Sequence, residues 1–339
     1  MAFERFGAPD VLEPRVLPDP QPAPEEAVVA VKACGINHLD LWVRAGLPGL
    51  EPEMPHVLGS DIVGVVEAVG AEVTTWKPGD RVLLVPTLSC GHCEACLRGD
   101  DHLCREYDVL GRRRNGGYAE FVTVPARNLL PFPDNLSWTD AAAVPLVFLT
   151  AWHMLVGRAR LAAAETVLVI GAGSGVGSAA IQIARLLGAH VIATAGSDEK
   201  LERARALGAH EVIDHAREDL GARARALTAN RGVDVVVEHV GGNVFERAFA
   251  ALARNGRLVT CGATIGSKVT LDLNMLFGRH LALMGSWMGR RDELVAVLEH
   301  VRSGALRPVV DSVMPLAEAR HAHERIEARQ HFGKVVLEP

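Results

Sequence analysis

A short apolar run, Val167–Ile170, leads straight into a glycine-rich segment, Gly171–Gly177, and residues 176–187 then carry helical periodicity. Few folds accommodate that order. The glycines let a backbone turn tightly and approach a ligand, and the helix start offers unpaired N–H groups and a positive dipole end. The pattern repeats along the chain. His190–Ala193 precedes the helical stretch Leu201–Leu207, and Val233–Val237 precedes a helix after Gly242, with a further strand at Arg257–Cys261. Strands alternating with helices predict right-handed βαβ units and a parallel sheet covered on both faces. The texture differs before about residue 148, where most of the 18 prolines lie among short Val-rich runs such as Ala27–Val31 and Ile62–Val69. Turn signals such as Lys77–Asp80 separate these runs, which predicts an irregular β-rich barrel. After about residue 288 a helix and a last strand, Lys334–Leu337, are expected to rejoin it.

The glycine segment departs from the strict G-x-G-x-x-G register, but its place between strand and helix marks it as a pyrophosphate cradle. Gly171, Gly173, Ser174, Gly175, Val176 and Gly177 are therefore candidate contacts for a nicotinamide dinucleotide. NAD-selective sites place a carboxylate at the end of the second strand, against the ribose 2′-hydroxyl. Here that strand ends in Ala195-Gly196-Ser197. Asp198 and Glu199 come later and fit the first turn of a helix with Ser197 as its N-cap. With Ser197 and Lys200 nearby, NADP(H) is expected over NAD(H).

Cys90, Cys93, Cys96 and Cys104 lie within fifteen residues in a C-x2-C-x2-C-x7-C pattern. Four thiolates complete a tetrahedral shell with no open position, so the spacing predicts one structural Zn2+ per subunit in a lobe at about residues 88–106. Acidic residues number 41 against 35 basic ones, which argues against a nucleic-acid partner. No apolar run reaches the roughly 20 residues of a membrane span, and the charged start of the chain does not suit a signal peptide. A cytoplasmic location and a small-molecule substrate are expected.

These features together resemble the medium-chain dehydrogenase/reductase superfamily, in its zinc-containing alcohol dehydrogenase and quinone oxidoreductase-like branch. The segments Gly35–Asp40, Gly59–Gly64, Lys77–Asp80, Leu149–Trp152, Gly171–Gly177 and Phe332–Val336 carry the resemblance, with the four cysteines. It implies a GroES-like catalytic domain from residues 1–147 and 288–339, a Rossmann domain over 148–287, and a cofactor in the cleft between them. By the same matching, Thr150 would contact the nicotinamide and His38 and Lys334 the cofactor phosphates. Gly262, Ala263, Ser286 and Trp287 would flank the nicotinamide ring. Family members pair through their Rossmann sheets, so an edge strand near Leu281–Ser286 is expected to build a homodimer, with a homotetramer as the alternative.

Zinc alcohol dehydrogenases of the family carry a second, catalytic zinc. At the places of its ligands this chain has Asn37, Ser60, Asp61 and Leu146, which leaves one carboxylate where three protein ligands are needed. Cys34, His38, His56 and Asp61 offer a conceivable rebuilt set. The resemblance thus implies an enzyme with the structural zinc only, reducing a conjugated carbonyl or quinone with NADPH. Asn37 would be a neutral donor near the nicotinamide or substrate. Asp40 and Arg44 read as a structural pair. Neither Tyr107 nor Tyr118 matches a proton-donor position. The alternatives are an alcohol dehydrogenase with altered zinc ligands and a nucleotide-binding relative without activity.

Overall fold

The computed structural model describes all 339 residues. It divides into two compact units, one of residues Met1–Leu146, Arg290–Ser303 and Arg307–Pro339, the other of Val147–Gly289 with Gly304–Leu306.

The first unit is built on a seven-stranded sheet. Its path runs through Val310–Pro315, Lys334–Glu338, Glu26–Gly35, Asp61–Val69, Arg81–Leu84 and Leu129–Pro131, and Phe121–Pro125 also pairs with Glu26–Gly35. Valines dominate because β-branched side chains fit a pleated, half-buried surface. Val29, Val66, Val82 and Leu337 lie fully buried in one cluster, each burial worth about 1.5–3 kcal/mol. Register then places the chemistry. Gly35 stands opposite Asp61 on one side and Val336 on the other, so Asn37, Asp61 and Lys334 gather at one end of three strands. A Cβ on Gly35 would lie 2.4 Å from the Ala142 carbonyl oxygen, 3.1 Å from Lys334 Cε and 3.2 Å from Asp61 Cβ. Only glycine permits that approach. Thr87–Leu88 and Asp108–Val109 pair as a separate two-stranded sheet at the base of the cysteine lobe.

The second unit is a six-stranded sheet in the order Glu211–Asp214, His190–Ala195, Thr166–Val169, Val233–Glu238, Leu252–Thr260, Ala282–Gly285. Every neighbouring pair is parallel. This is the 3-2-1-4-5-6 order of a doubly wound dinucleotide fold, which reverses between the Thr166 and Val233 strands. The helix Gly175–Leu186 buries Ile183 together with Ala179, Ala180 and Ala184, and the small alanines admit close helix–sheet packing. No helix in the chain is long and apolar enough to cross a membrane.

Candidate active site and metal lobe

In the first unit, Asn37, Asp61 and Lys334 form a closed ionic cluster. Lys334 Nζ donates to the Ile36 carbonyl oxygen at 2.6 Å, to Asn37 Oδ1 at 2.6 Å and to Asp61 Oδ2 at 2.8 Å. An ammonium has three donors, and all three are used. Asp61 Oδ2 also accepts Asn37 Nδ2 at 2.9 Å, and its Oδ1 accepts the Leu146 amide at 2.7 Å. Lys334 and Asp61 side chains are 3% and 0% exposed, so the pair is shielded from water and salt. Two expectations change here. Lys334 has no N–H left for a cofactor phosphate. The Asn37 carboxamide is likewise engaged at both ends, its Nδ2 also reaching the Gly35 carbonyl oxygen at 3.4 Å, so it holds the cluster rather than pointing a free donor at a substrate.

The residues at the catalytic-zinc places do not fit that metal. Ser60 Oγ turns away to donate to the Leu110 carbonyl oxygen at 2.7 Å. Leu146 offers a backbone amide, a donor, where a ligand must supply a lone pair. The Lys334 ammonium already neutralises Asp61 and would repel a divalent cation at the same oxygen. The conceivable set of Cys34, His38, His56 and Asp61 is not assembled either. The side chains that bring three or more metal donors together are Cys90, Cys93, Cys96 and Cys104, and Cys90, His92 and Glu106.

A second buried polar chain lies beside the cluster. Asp40 Oδ2 accepts the Asn37 amide at 2.7 Å, closing the first turn of helix His38–Ala45, and Oδ1 accepts the Gly59 amide at 3.0 Å. Arg44 does not pair with it. Instead Arg44 Nη1 donates to His323 Nδ1 at 3.0 Å, and Nη2 binds Glu327. Arginine cannot accept, so His323 carries its proton on Nε2 and donates it to Tyr118 Oη at 3.0 Å. Sequence reasoning missed this chain, since His323 lies 279 residues from Arg44 and 205 from Tyr118.

Burial, then the neighbouring Arg44 charge, push His323 down to about 3. A histidine neutral in the native state and ordinary when unfolded binds more protons unfolded between these values. Its contribution to stability is complete above pH 6.5 and is lost as pH falls toward 3. Glutamine retains one acceptor and one donor without titrating. Relative to His323→Gln, the wild type should therefore lose about 2–3 kcal/mol between pH 7 and pH 4.5, measured by urea denaturation at both values. An unchanged difference would refute the assignment.

In the second unit the glycine turn has the form a dinucleotide needs. Gly171 adopts φ +66°. A Cβ on Gly177 would strike the Gly171 carbonyl oxygen at 2.2 Å. Ser174 is the N-cap, its Oγ accepting the Gly177 amide at 2.8 Å. The following amides, Gly175 and Val176, open the helix with no intrahelical acceptor. Ser174 Oγ also meets His239 Nε2 at 3.1 Å, and burial lowers the basicity of that ring. Glu238, itself buried, accepts the Val240 and Gly241 amides at 2.6 Å and Thr260 Oγ1 at 2.9 Å, fixing the next loop. Ser286 Oγ is buried with no hydrogen-bond partner, Thr150 Oγ1 reaches only the weak acceptor Met288 Sδ at 3.8 Å, and Trp287 is 46% exposed. Gly262 and Ala263 follow the Leu252–Thr260 strand, and the Gly262 carbonyl accepts Thr260 Oγ1 at 3.1 Å. Such poorly satisfied hydroxyls fit a carboxamide ligand. Ser197 caps helix Asp198–Ala206, taking the Lys200 amide on its Oγ at 3.4 Å. His38, in the first unit, stands with its ring 6.2 Å from Trp42 and 6.3 Å from His331.

The cysteine lobe fits zinc. Its four sulfurs lie within 4.8 Å of one another. Cys90–Cys96 and Cys93–Cys96 sulfur separations are 3.9 and 3.6 Å, against about 3.8 Å for the edge of a tetrahedron with 2.3 Å Zn–S bonds. Backbone amides support the thiolates: Cys93 N–H on Cys90 Sγ at 3.3 Å, and Cys90 and Glu106 N–H on Cys104 Sγ at 3.4 and 3.3 Å. The amides of His92 and Cys93 draw the Cys90 thiol down to about 6. These residues would hold the ion in a closed shell, where it stabilises the lobe.

Comparison with known proteins agrees with both units. Residues 23–134 match the alcohol dehydrogenase GroES-like domain and residues 175–303 the zinc-binding dehydrogenase domain. An alcohol dehydrogenase of Geobacillus stearothermophilus is 32% identical over 98% of this chain and 97% of its own length. A quinone oxidoreductase of Sus scrofa is 32% identical over 98% and 95%. A crystal structure of an NAD-dependent alcohol dehydrogenase superposes with a TM-score of 0.97 at 48% identity, covering 100% of this chain and 98% of that one. With a GroES-like unit, a Rossmann unit and relatives of this kind along its length, the chain is an oxidoreductase of the medium-chain dehydrogenase/reductase family, in the zinc-type alcohol dehydrogenase and quinone oxidoreductase-like branch.

Proposed function

We propose that the protein reduces conjugated carbonyls or quinones with NADPH and without a catalytic metal. The observation that carries this reading is the Lys334 ammonium bonded to Asp61 and Asn37 where a zinc enzyme of the family needs ligands. Bound NADPH supplies hydride. The glycine turn anchors its pyrophosphate on the Gly175 and Val176 amides, and Thr150 and Ser286 offer hydroxyls to its carboxamide. Gly262, Ala263 and Trp287 complete the surroundings of the ring. Reduction of a plain ketone leaves charge on one oxygen, which a Lewis acid would stabilise by several kcal/mol. A conjugated acceptor spreads that charge through its own π-system, and hydrogen bonds and solvent suffice. Asp61, Asn37 and Lys334 act as a rigid, internally neutral wall.

The preference for NADPH is supported by the second-strand end. Ala195-Gly196-Ser197 offers no carboxylate. Asp198, the nearest, is held by Arg217 at 2.9 and 3.2 Å. The His215 ring lies 3.0 Å from where a Gly196 Cβ would stand. Lys200 and His215 thus bring positive or protonatable groups to a 2′-phosphate, while Arg217 neutralises the Asp198 carboxylate. A panel of quinones, enones, saturated ketones and aldehydes, each assayed with NADPH and NADH, tests the proposal. Quinones or enones should exceed saturated ketones, and NADPH should exceed NADH, by about tenfold or more in kcat/KM, the factor that 1.4 kcal/mol supplies. Ketone turnover equal to enone turnover would overturn the metal-free reading, and faster NADH oxidation the cofactor assignment. Because the 48% identical relative is an NAD-dependent enzyme, NADH is the competitor to beat.

A homodimer completes the proposal, with a dimer of dimers as the alternative. Ala282–Gly285 is an edge strand paired on one side only, and Leu273, Phe277, Leu283 and Trp287 are exposed in the same unit. An open apolar edge of this kind invites pairing with a second copy. Leu283→Lys should convert a dimer to a monomer by light scattering at micromolar concentration; a wild-type monomer would refute the assembly.

A further inference from the structure

We propose that His92 and Glu106, together with Cys90, form a loading site through which zinc enters and leaves the cysteine lobe. The inference rests on the zinc assignment of that lobe and is independent of the reductase reading. A four-thiolate shell has no open position, so every thiolate that binds or lets go must exchange with a donor from outside the shell. Water serves anywhere, but a protein ligand fixed beside one thiolate keeps a partly bound ion in place. Two such donors stand at one corner. A ring nitrogen of His92, a carboxylate oxygen of Glu106 and Cys90 Sγ lie within 4.8 Å of one another. Small side-chain rotations bring them to the roughly 3.5 Å separation of tetrahedral ligands with bonds of about 2.0–2.3 Å. Cys90 belongs to the four-cysteine shell as well, its sulfur 3.9 Å from Cys96 Sγ. The two donor sets share one thiolate. An ion held by Cys90, His92 and Glu106 therefore passes inward by exchanging imidazole and carboxylate for the other three thiolates, without leaving Cys90.

Exposure falls along that path. His92 and Glu106 are exposed, Cys90, Cys93 and Cys96 are half-buried, and Cys104 is buried. The His92 ring is arranged as a ligand. Its Nδ1 lies 2.9 Å from the Cys90 carbonyl oxygen, and a carbonyl only accepts, so Nδ1 carries the hydrogen and Nε2 keeps its lone pair. Metal-binding histidines are commonly tied to a backbone carbonyl in this way. Glu106 differs from the other carboxylates of the lobe. Glu94 and Asp100 bond to Arg98, and Asp101 accepts the Arg291 amide, whereas the Glu106 carboxylate has no such partner. Its own amide donates to Cys104 Sγ at 3.3 Å, so one residue offers the outer carboxylate and supports the innermost thiolate. Thiolates suit zinc better than a carboxylate does, which gives an ion at the outer set reason to move on.

The test follows exchange of bound zinc for added Cd2+ in the zinc-loaded full-length protein, read by cadmium–thiolate absorbance, with the equilibrium Kd for zinc from competition with a chelator of known affinity. His92→Ala/Glu106→Gln should slow exchange about tenfold, the factor that about 1.4 kcal/mol in a transition state supplies. The equilibrium Kd and the count of one zinc per chain should hold, because a site on the path changes entry and exit alike. Glu94→Gln removes an exposed carboxylate of the same lobe and should keep the wild-type rate. A rate unchanged or faster in the double variant overturns the proposal. So does an equilibrium Kd weakened by the same factor, which would make the two residues ligands of the resting ion, or equal slowing in Glu94→Gln, which would assign the effect to net charge. A wild-type protein that takes up no zinc overturns the zinc assignment and this proposal together, whereas one zinc with unchanged exchange overturns the proposal alone.

Discussion

Lys334→Met should destabilise the protein by about 3–5 kcal/mol, because it removes one partner of a buried ion pair and leaves the other without its counter-charge. Asp61 Oδ2 would retain Asn37 Nδ2, and Oδ1 the Leu146 amide, but no cation would remain within hydrogen-bond distance. Asn37 Oδ1 and the Ile36 carbonyl oxygen would lose their donor in the same step. The double variant Asp61→Leu/Lys334→Met separates pairing from packing. Replacing both charges by apolar groups is often nearly neutral, so the double variant should recover most of the loss. Urea denaturation at pH 7 measures both. A loss below about 1 kcal/mol in Lys334→Met would show the pair to be solvated and would remove the ground for placing an ammonium at the metal position.

The second large effect concerns the cysteine lobe. One zinc per chain is expected from elemental analysis of the purified protein, and two would revive the alcohol dehydrogenase with altered ligands. Structural zinc in small modules contributes on the order of 10 kcal/mol or more to the folding of the segment that binds it. The lobe has little else. Its helix Glu94–Leu97 has no buried residue, and Leu97 and Leu103 are 76% and 61% exposed. Chelation, or Cys96→Ser, should therefore open residues 88–106 to proteolysis about tenfold faster or more, while the Rossmann unit stays folded by circular dichroism. A lobe that resists protease without metal would rule out the structural role.

Both predictions bear on a distinction in how the chain encodes its parts. The glycine turn and the four cysteines are legible one after another along the sequence because each is a local device. A tight turn needs glycine within a few residues of the strand it ends, and a tetrahedral shell closes within one short loop. Ser197 as a helix cap was readable for the same reason, a side chain meeting an amide three residues on. Alternating strand and helix patterns likewise pointed to the parallel sheet, since periodicity is set by neighbours in the chain.

The Asn37–Asp61–Lys334 cluster was not legible in this way. Lys334 lies in a segment that the family resemblance reads as a phosphate contact, yet its ammonium reaches Asp61, 273 residues away. Arg44 stands four residues from Asp40, the spacing of a helical ion pair, yet it turns to His323, 279 residues on. Each choice depends on what else is buried nearby, how many acceptors converge and which backbone comes close, and Gly35 admits that approach only once three strands are in register. Residue types alone thus determined that the chain builds a dinucleotide fold with a four-thiolate lobe, and the family resemblance added that Asn37, Ser60 and Leu146 stand where catalytic-zinc ligands are expected. That an ammonium occupies their place was decided by the assembled sheet, because the partner of a long flexible lysine is selected by desolvation and geometry rather than by proximity along the chain.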